Sequence, residues 1–237
     1  MSELSEDFVI VVKNNAPNDS FDFFSGKTNI HVIDDSYGLG FGHNNNLVFN
    51  YCRNVLNMND DDYFVVLNPD VLINSCDVKL LIDFMQFDKS SLAAINLFRD
   101  DSFSEYDCSI RKFPSFFQFI SSFIGLGNST ILDKSKIINT TEVDWAAGSF
   151  LAFSSKLYSR LFGFDQGYFM YCEDIDICFR SALLGYPLMY YPQIKGIHLA
   201  KHANRSILSK HFFWHVNSVF RFILSKNGLV RSHSVLK

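Results

Sequence analysis

The chain has few of the features that mark secreted proteins. No two of its cysteines form a C-x-x-C pair, and no signal peptide precedes the opening residues MSELSED. Because structural disulfides need an oxidising compartment, this pattern predicts a cytosolic protein with reduced cysteines. The cysteines are Cys52, Cys76, Cys108, Cys172 and Cys178.

Long apolar runs are also missing. The best candidate, FPSFFQFISSFIGLG, is shorter than the roughly 18 residues of a membrane span and carries serines and a glutamine. We therefore predict no spanning helix. Disorder is excluded as well, because 48% of the residues are hydrophobic and 26 are Phe. So many Phe residues predict some aromatic surface that contacts lipid or a partner.

Acidic residues are absent from the last part of the chain. Residues 193–237 hold eight Lys and Arg and no Asp or Glu, although the whole chain has a net charge of −4. A basic, aromatic-rich tail on an acidic body is typical of contact with an anionic surface. No nucleic-acid motif accompanies it, so we predict no nucleic-acid partner.

The rest of the chain alternates between apolar runs and helical patterns. A helix is expected over residues 44–56, and a second begins near Ser75. This alternation predicts one α/β domain with a mostly parallel central sheet flanked by helices. The expected strands are FVIVV, NIHVI, YFVVLN, SLAAINL, LMYYP and GIHLA, and SILSKHFFWHVNSVFRFILSK reads as one amphipathic helix.

One apolar strand ends in Asn68, Pro69 and Asp70. All three residue types favour turns, and a plain turn is one interpretation. The other is that Asp70, at the strand's carboxyl edge, holds a divalent cation whose remaining ligands come from a diphosphate. The preceding GLGFGHNNN is not a dinucleotide fingerprint, but a glycine turn before a helix favours anionic ligands.

Three acids, Glu173, Asp174 and Asp176, crowd the start of another helical pattern. They could simply favour the first helical turn through the helix dipole. Carboxylates packed behind YFMY would instead have at least one raised pKa, which suits a general base.

Two pairs of histidines have the spacing of a zinc-binding helix. They are His198 with His202 and His211 with His215. However, GIHLA reads as a strand, so a structural zinc site or a zinc-dependent hydrolase is the weaker interpretation.

Taken together, the motifs resemble those of the inverting, family-two nucleotide-sugar glycosyltransferases, in particular bacterial rhamnosyltransferases of O-antigen and related polysaccharides. The matching pieces run from about residue 35 to 220. They are GLGFGHNNN, DDDYFVVLNPDV, RKFP, VDWAAGSF, GFDQGYFMYCEDIDICFR and GIHLAKHANRS. The resemblance implies a GT-A fold, with a glycosyltransferase domain over residues 1–200, an acceptor-facing part over about 100–200, and a basic amphipathic C-terminal helix over 201–237.

The resemblance also implies roles for single residues. Asp70 and His198 would hold a divalent cation, Mn²⁺ or Mg²⁺, and Asp174 would be the base, with Glu173 beside it in the catalytic group. The implied nucleotide- and sugar-binding residues are Asn14, Asn15, Gly40, Asn45, Asn68, Trp145 and Gly148.

The beginning of the chain departs from the family pattern. Family members normally have a further strand and helix before the strand matched to FVIVVKNN, and that unit is not in this sequence. Lys13 stands where the family often has an Asp that reads the base. Both departures affect the region that would bind the nucleotide, and so put the affinity for it in question.

The leading hypothesis is therefore an enzyme that moves L-rhamnose from dTDP-L-rhamnose to a polyprenyl-diphosphate-linked sugar at the cytoplasmic face of the inner membrane, in peripheral contact with anionic lipid. The alternative is a truncated, inactive glycosyltransferase-like protein that binds membrane or partner enzymes.

Overall fold

The computed structural model describes residues 8–24, 26–115, 117–119, 129–199 and 210–236. The described strands are β1 (Ile10–Lys13), β2 (Ile30–Ile33), β3 (Tyr63–Leu67), β4 (Val71–Leu72), β5 (Leu92–Phe98), β6 (Ile110–Arg111), β7 (Thr141–Val143), β8 (Trp145–Ala146), β9 (Phe150–Ser154) and β10 (Leu188–His198). The helices are α1 (Phe41–Asn54), α2 (Ser75–Asp88), α3 (Ser155–Arg160), α4 (Glu173–Leu183) and α5 (Lys210–Lys226).

Six strands form the central sheet, in the order β3-β9-β5-β10-β4, and β7 also pairs with β10. Strands β1 and β2 form a separate parallel pair, and β6 pairs with β8. The predicted strands LMYYP and GIHLA are parts of one strand, β10, whose register against β5 shifts between Tyr191 and Lys195. The C-terminal end of β10 thus lies beside β4, which directly follows Asp70.

The prediction of a mostly parallel central sheet is wrong. Within the described sheet β5 and β10 are parallel, whereas β3–β9, β5–β9, β10–β4 and β10–β7 are antiparallel. A buried strand has the same apolar pattern in either direction, so the sequence pattern does not show how it pairs. Here the connection from β5 to β9 passes through β6, β7 and β8 and returns to the end of the sheet at which β5 finishes, so β9 runs antiparallel to β5.

Helices cover both faces of the sheet, as predicted. Every residue of β5 is buried. One face packs against α2 through Leu81 and Met85, and the other packs against α1, α3, α4 and α5. A sheet buried on both faces cannot bind ligands there, which leaves the strand ends for a functional site.

The first turn of α2 is capped by Asn74, whose side-chain oxygen accepts a hydrogen bond from the amide of Cys76 at 2.9 Å. The helix begins at Ser75, where the sequence placed its start. Lys89, in the left-handed conformation with φ of 54°, ends the helix.

Helix α5 packs into the core through its inner face. Val219 and Phe222 are buried in the larger apolar cluster. Arg221, one of the basic residues of the C-terminal tail, forms an ion pair with buried Asp165, with Nη2 2.7 Å from Oδ2. The helical pattern correctly predicted an amphipathic helix, but it did not show that Arg221 forms an ion pair inside the protein.

The outer face of α5 exposes an apolar stripe of Phe213, Phe220 and Leu224. In the Phe-rich segment before it, Phe117 is exposed and Phe119 is buried against Phe222, whereas Phe116 and Phe123 lie outside the described residues. No helix in the described part of the chain is long and apolar enough to cross a membrane.

Candidate active site

The turn after β3 brings Asn68 and Asp70 to the edge of the sheet. The amide of Asn68 donates to the carbonyl of Ser149 at 3.0 Å, and the carbonyl of Asn68 accepts from Val71 at 3.1 Å. The turn is therefore fixed against the residues that begin β9. Asn68 is thus bonded to the residue that directly follows Gly148.

Asp70 and His198 meet, as the sequence resemblance implied. Nε2 of His198 lies 3.6 Å from Oδ2 of Asp70. The antiparallel pairing of β4 with β10 and a hydrogen bond from the amide of Leu199 to the carbonyl of Asp70, 3.0 Å long, hold the two backbones together. The predicted ligand pair thus comes from distant strands that the fold places side by side.

Two further charged residues, which the sequence did not indicate, stand behind His198. Nδ1 of His198 is 3.1 Å from Oδ2 of Asp107, and Oδ1 of Asp107 is 2.9 Å from Nζ of Lys134. Burial alone would raise the pKa of Asp107, but the hydrogen bond from His198 and the charge of Lys134 together hold it well below its usual value. The same hydrogen bond raises the pKa of His198 against the effect of burial. Asp107 is therefore ionised and accepts a hydrogen bond from the N–H group at Nδ1 of His198.

Asp174 contacts Gly148, the residue before the Ser149 that binds Asn68. Its Oδ2 accepts a hydrogen bond from the amide of Gly148 at 3.2 Å, and its Oδ1 accepts one from the amide of Ile175 at 2.9 Å. A Cβ added at Gly148 would lie 3.0 Å from the ring of Phe41 and 3.7 Å from Cβ of Asp174. The tight turn at Gly148 thus holds the carboxylate close to the strand end that carries Asn68.

Glu173 has a different environment from its neighbour. Its side chain is buried, and among the described residues its Oε2 has no hydrogen-bond partner. Burial, reinforced by the charge of Asp174, raises the pKa of Glu173 to about 8. Burial also raises the pKa of Asp174, although the two backbone amides counteract it. The two backbone amides therefore favour the negative charge on Asp174 rather than on Glu173.

The third acid of the cluster has a structural role. Asp176 is fully buried and its Oδ2 accepts from Nε of Arg180 at 2.7 Å, while Oδ1 is in reach of the hydroxyls of Tyr168 and Ser225. The crowding of acids noted in the sequence therefore has two causes, a candidate base and a core ion pair.

The backbone before α4 is held in an unusual conformation. Tyr171 and Cys172 both have positive φ, 72° and 65°, which costs free energy in residues other than Gly. The same loop contacts the start of α1, because the amide of Phe41 donates to the carbonyl of Phe169 at 3.2 Å. A Cβ at Gly40 would lie 2.3 Å from that carbonyl oxygen, so only glycine fits there. The structure thus brings Gly40 into contact with the Asp174 loop.

The predicted nucleotide-binding asparagines lie near this helix start but bond within the protein. Asn14 is buried, and its Nδ2 is 2.8 Å from Oδ1 of Asp34. Asn15 pairs with both backbone groups of Leu39 at 3.0 Å. Asn45 donates to the carbonyl of Phe41 at 2.9 Å. Their role in nucleotide binding stays a prediction.

Lys13, the departure from the family pattern, is held at the end of β1. Its Nζ donates to the carbonyl oxygens of Asn14 and Asp35, both at 2.5 Å. The ammonium is therefore occupied by backbone groups of the turn that precedes α1.

Trp145 is buried in β8, and its indole nitrogen donates to the carbonyl of Lys112 at 2.9 Å. The guanidinium of Arg111 lies 5.2 Å from its ring centroid. Contact of this indole with a sugar stays a prediction.

The residues present fit a divalent cation that shares its coordination with substrate. Each ligand of such an ion lies about 2 Å away, so two protein atoms 3.6 Å apart can bind the same ion. A carboxylate and an imidazole suit Mn²⁺. Among the described residues no cluster of three or more His, Cys, Asp and Glu side chains forms a metal site, so the remaining ligands would be diphosphate oxygens and water.

The zinc interpretation finds little geometric support in the described residues. His211 and His215 both contact Tyr171, and Nδ1 of His211 is 3.0 Å from its hydroxyl. His202 lies outside the described residues.

The fold matches that of a known glycosyltransferase. The chain superposes on GalNAc-T7, solved with UDP, GalNAc and Mn²⁺, with a TM-score of 0.61 over 90% of this chain and 41% of that one, at 10% sequence identity. No protein-family model matches the chain. The architecture is therefore the GT-A fold of glycosyltransferases, as the sequence resemblance implied.

Sequence comparison gives the family. The chain is 44% identical over 190 residues to rhamnosyltransferase WbbL of Escherichia coli (strain K12), which covers 80% of this chain and 72% of the relative. It therefore belongs to the bacterial rhamnosyltransferase family. It is also 27% identical over 175 residues to the N-acetylglucosaminyl-diphospho-decaprenol L-rhamnosyltransferase of Mycobacterium tuberculosis, of which it spans 57%.

Proposed function

We propose that this enzyme transfers L-rhamnose from dTDP-L-rhamnose to a polyprenyl-diphosphate-linked sugar, with inversion at the anomeric carbon, in the synthesis of O-antigen or a related surface polysaccharide. The observation that carries the proposal is the arrangement around residues 148–149. Asp174 is held there by the amide of Gly148, and the turn that leads to Asp70 and His198 is held by Ser149. The proposed base and the proposed cation-binding pair would thus flank one strand end.

The carboxylate of Asp174 would accept the proton of the acceptor hydroxyl as its oxygen attacks the anomeric carbon. The bond from that carbon to the dTDP oxygen breaks, and the leaving diphosphate takes the electron pair. Attack from the face opposite the leaving group inverts the configuration. The two amides that bind Asp174 orient it, and buried Glu173, neutral at pH 7, adds no second negative charge beside it.

Asp70 and His198 would hold a Mn²⁺ or Mg²⁺ ion. When bound, such an ion neutralises the charge that develops on the leaving diphosphate. Asn68, in the same turn, would contact the donor, and Gly40 and Gly148 would keep the backbone close to it. Asn14, Asn15, Asn45 and Trp145 complete the proposed nucleotide- and sugar-binding set.

We also propose that the enzyme works at the cytoplasmic face of the inner membrane. Its lipid-linked acceptor would stay in the leaflet, and the exposed stripe of α5 supports peripheral contact with anionic lipid.

The test is a transfer assay with dTDP-L-rhamnose, Mn²⁺ and a polyprenyl-diphosphate-linked N-acetylglucosamine, which is the acceptor class named for the mycobacterial relative. Asp174→Asn should lower the transfer rate at least about 100-fold, because it removes the general base. It should leave dTDP binding by calorimetry within about twofold, since the base acts on the acceptor.

Glu142→Gln, an exposed change on β7, is the control and should keep full activity. A variant Asp174→Asn with more than a tenth of the wild-type rate would refute the base assignment. Absence of transfer by the wild-type protein, with dTDP still bound, would favour the inactive binding protein.

A further inference from the structure

The pair of Lys134 and Asp107 is buried behind His198. Their side chains are 1% and 7% exposed, and Nζ and Oδ1 are 2.9 Å apart. Nζ also donates to the carbonyl of Leu97 at 2.6 Å. Removing two charges from water carries a large desolvation penalty. An apolar pair of similar volume would often stabilise a protein as well or better, so stability alone does not account for these residues.

The remaining contacts of Asp107 show what the pair can do. Oδ1 accepts from Lys134 and, at 2.9 Å, from the amide of Ser109. Oδ2 is 3.1 Å from Nδ1 of His198. One oxygen is thus locked by two donors, and the rigid carboxylate leaves its second oxygen for the imidazole.

The bond to Asp107 leaves one nitrogen of His198 for other ligands. With Nδ1 donating to the carboxylate, the imidazole can bind a cation through Nε2, the atom that lies 3.6 Å from Asp70. In metal sites a carboxylate behind the imidazole fixes both its rotation and its tautomer.

We propose that Lys134 and Asp107 are positioning residues, which hold His198 in the Nδ1-protonated tautomer and direct its Nε2 to the cation shared with Asp70. The proposal rests on the cation role assigned to His198 under Proposed function. Lys134 acts through Asp107, and Asp107 acts through His198, so neither touches substrate.

Two variants separate positioning from stability. In Asp107→Asn, Lys134 should keep the side-chain oxygen, so the amide NH₂ group faces His198 and forces Nδ1 to become an acceptor. The proton then lies on Nε2, which can no longer bind a cation. In Asp107→Leu/Lys134→Met the buried charges are replaced by apolar side chains of similar size, which should preserve the fold while leaving the imidazole without its acceptor.

The matched control is Asp133→Asn/Lys136→Met. This ion pair lies in the same short turn, with 3.1 Å between Nζ of Lys136 and Oδ2 of Asp133, but both side chains are exposed. Like the apolar double variant, it removes one positive and one negative charge, but neither residue contacts His198.

The first readout is nitrogen NMR of the metal-free protein, with His198→Gln identifying the His198 signals. Wild-type and control proteins should carry the proton on Nδ1, and Asp107→Asn should carry it on Nε2. The second readout is Mn²⁺ affinity by electron paramagnetic resonance in the presence of saturating dTDP, which supplies the diphosphate oxygens. It should fall about 10- to 100-fold in Asp107→Asn and in the apolar double variant, and stay unchanged in the control.

Wild-type Mn²⁺ affinity in the apolar double variant, with circular dichroism confirming its fold, would overturn the proposal. A wild-type His198 protonated on Nε2 would overturn it too. If the wild-type protein carries the Nδ1 proton but binds no Mn²⁺, the cation assignment fails while the orientation of His198 by Asp107 stands.

Discussion

Glu173 and Asp174 are neighbours in the chain, but their surroundings give them different tasks. Asp174 receives two backbone hydrogen bonds. Glu173 is buried, its Oε2 has no hydrogen-bond partner in the described part of the chain, and its pKa is raised to about 8. An unfolded Glu titrates near 4.5. Between these two values the folded protein binds one more proton than the unfolded chain, so its free energy of unfolding must fall as the pH rises.

Glu173→Gln should abolish this part of the pH dependence. Gln does not titrate. The free energy of unfolding of the variant, relative to that of wild type, should therefore increase from pH 5 to pH 8, by at most about 1.4 kcal/mol per pH unit, and level off above pH 8. Urea denaturation of both proteins at several pH values measures the difference. Exposed Glu142→Gln should give a curve parallel to that of wild type, and parallel curves for Glu173→Gln would contradict the neutral, buried state of this residue.

At the level of elements, α5 holds the loop that precedes the proposed base. Trp214 stacks beside Phe169 with 4.6 Å between ring centroids, and the hydroxyl of Ser218 donates to the carbonyl of Met170 at 2.8 Å. Tyr171 in turn contacts His211. Three successive loop residues are thus bound to one helix, which stabilises the positive φ angles just before α4.

Ser218→Ala should therefore affect catalysis as well as stability. Loss of one hydrogen bond should lower the free energy of unfolding by about 1 kcal/mol, and the looser loop should lower kcat several-fold while leaving dTDP binding unchanged. Asn227→Ala removes a hydrogen bond to the carbonyl of Ile223 at the far end of α5 and serves as control. Equal kcat values for the two variants would show that α5 does not support the site.

The sequence predicted most elements correctly because their apolar periodicity is local. It could not predict strand direction, because the same apolar run fits either pairing. The proposed catalytic residues follow from the family resemblance and from a strand end, where Asp70 stands out. Asp107 lies in an irregular segment and Lys134 begins a short 3-10 helix 27 residues later. The two meet only through tertiary folding, so no local pattern identifies them. The ion pair of Asp165 with Arg221 was missed for the same reason.

At the scale of the whole molecule, the charge asymmetry and the outer face of α5 predict reversible membrane binding. The described helix offers Phe213, Phe220 and Leu224 to the outside, with Lys210 at its start. Phe213→Ser/Phe220→Ser should reduce co-sedimentation with anionic vesicles severalfold, and high salt should release the wild-type protein.

Phe87→Ser is the matched control, because Phe87 is 86% exposed but lies on α2. It should bind vesicles as wild type does. Equal wild-type binding to neutral and anionic vesicles would rule out the electrostatic part of this prediction.

The core joins residues from distant parts of the chain, and this affects how the protein can fold on the ribosome. Phe49 of α1 shares one apolar cluster with Phe222 of α5 and with Leu236. Asn46, in the same helix, donates to the hydroxyl of Ser234 at 3.2 Å. Until these C-terminal residues have emerged from the ribosome, α1 and the sheet must stay partly uncovered. Since domains tend to fold as units during synthesis, the native core should form only after most of the chain has been translated, and until then its apolar strands are available to chaperones.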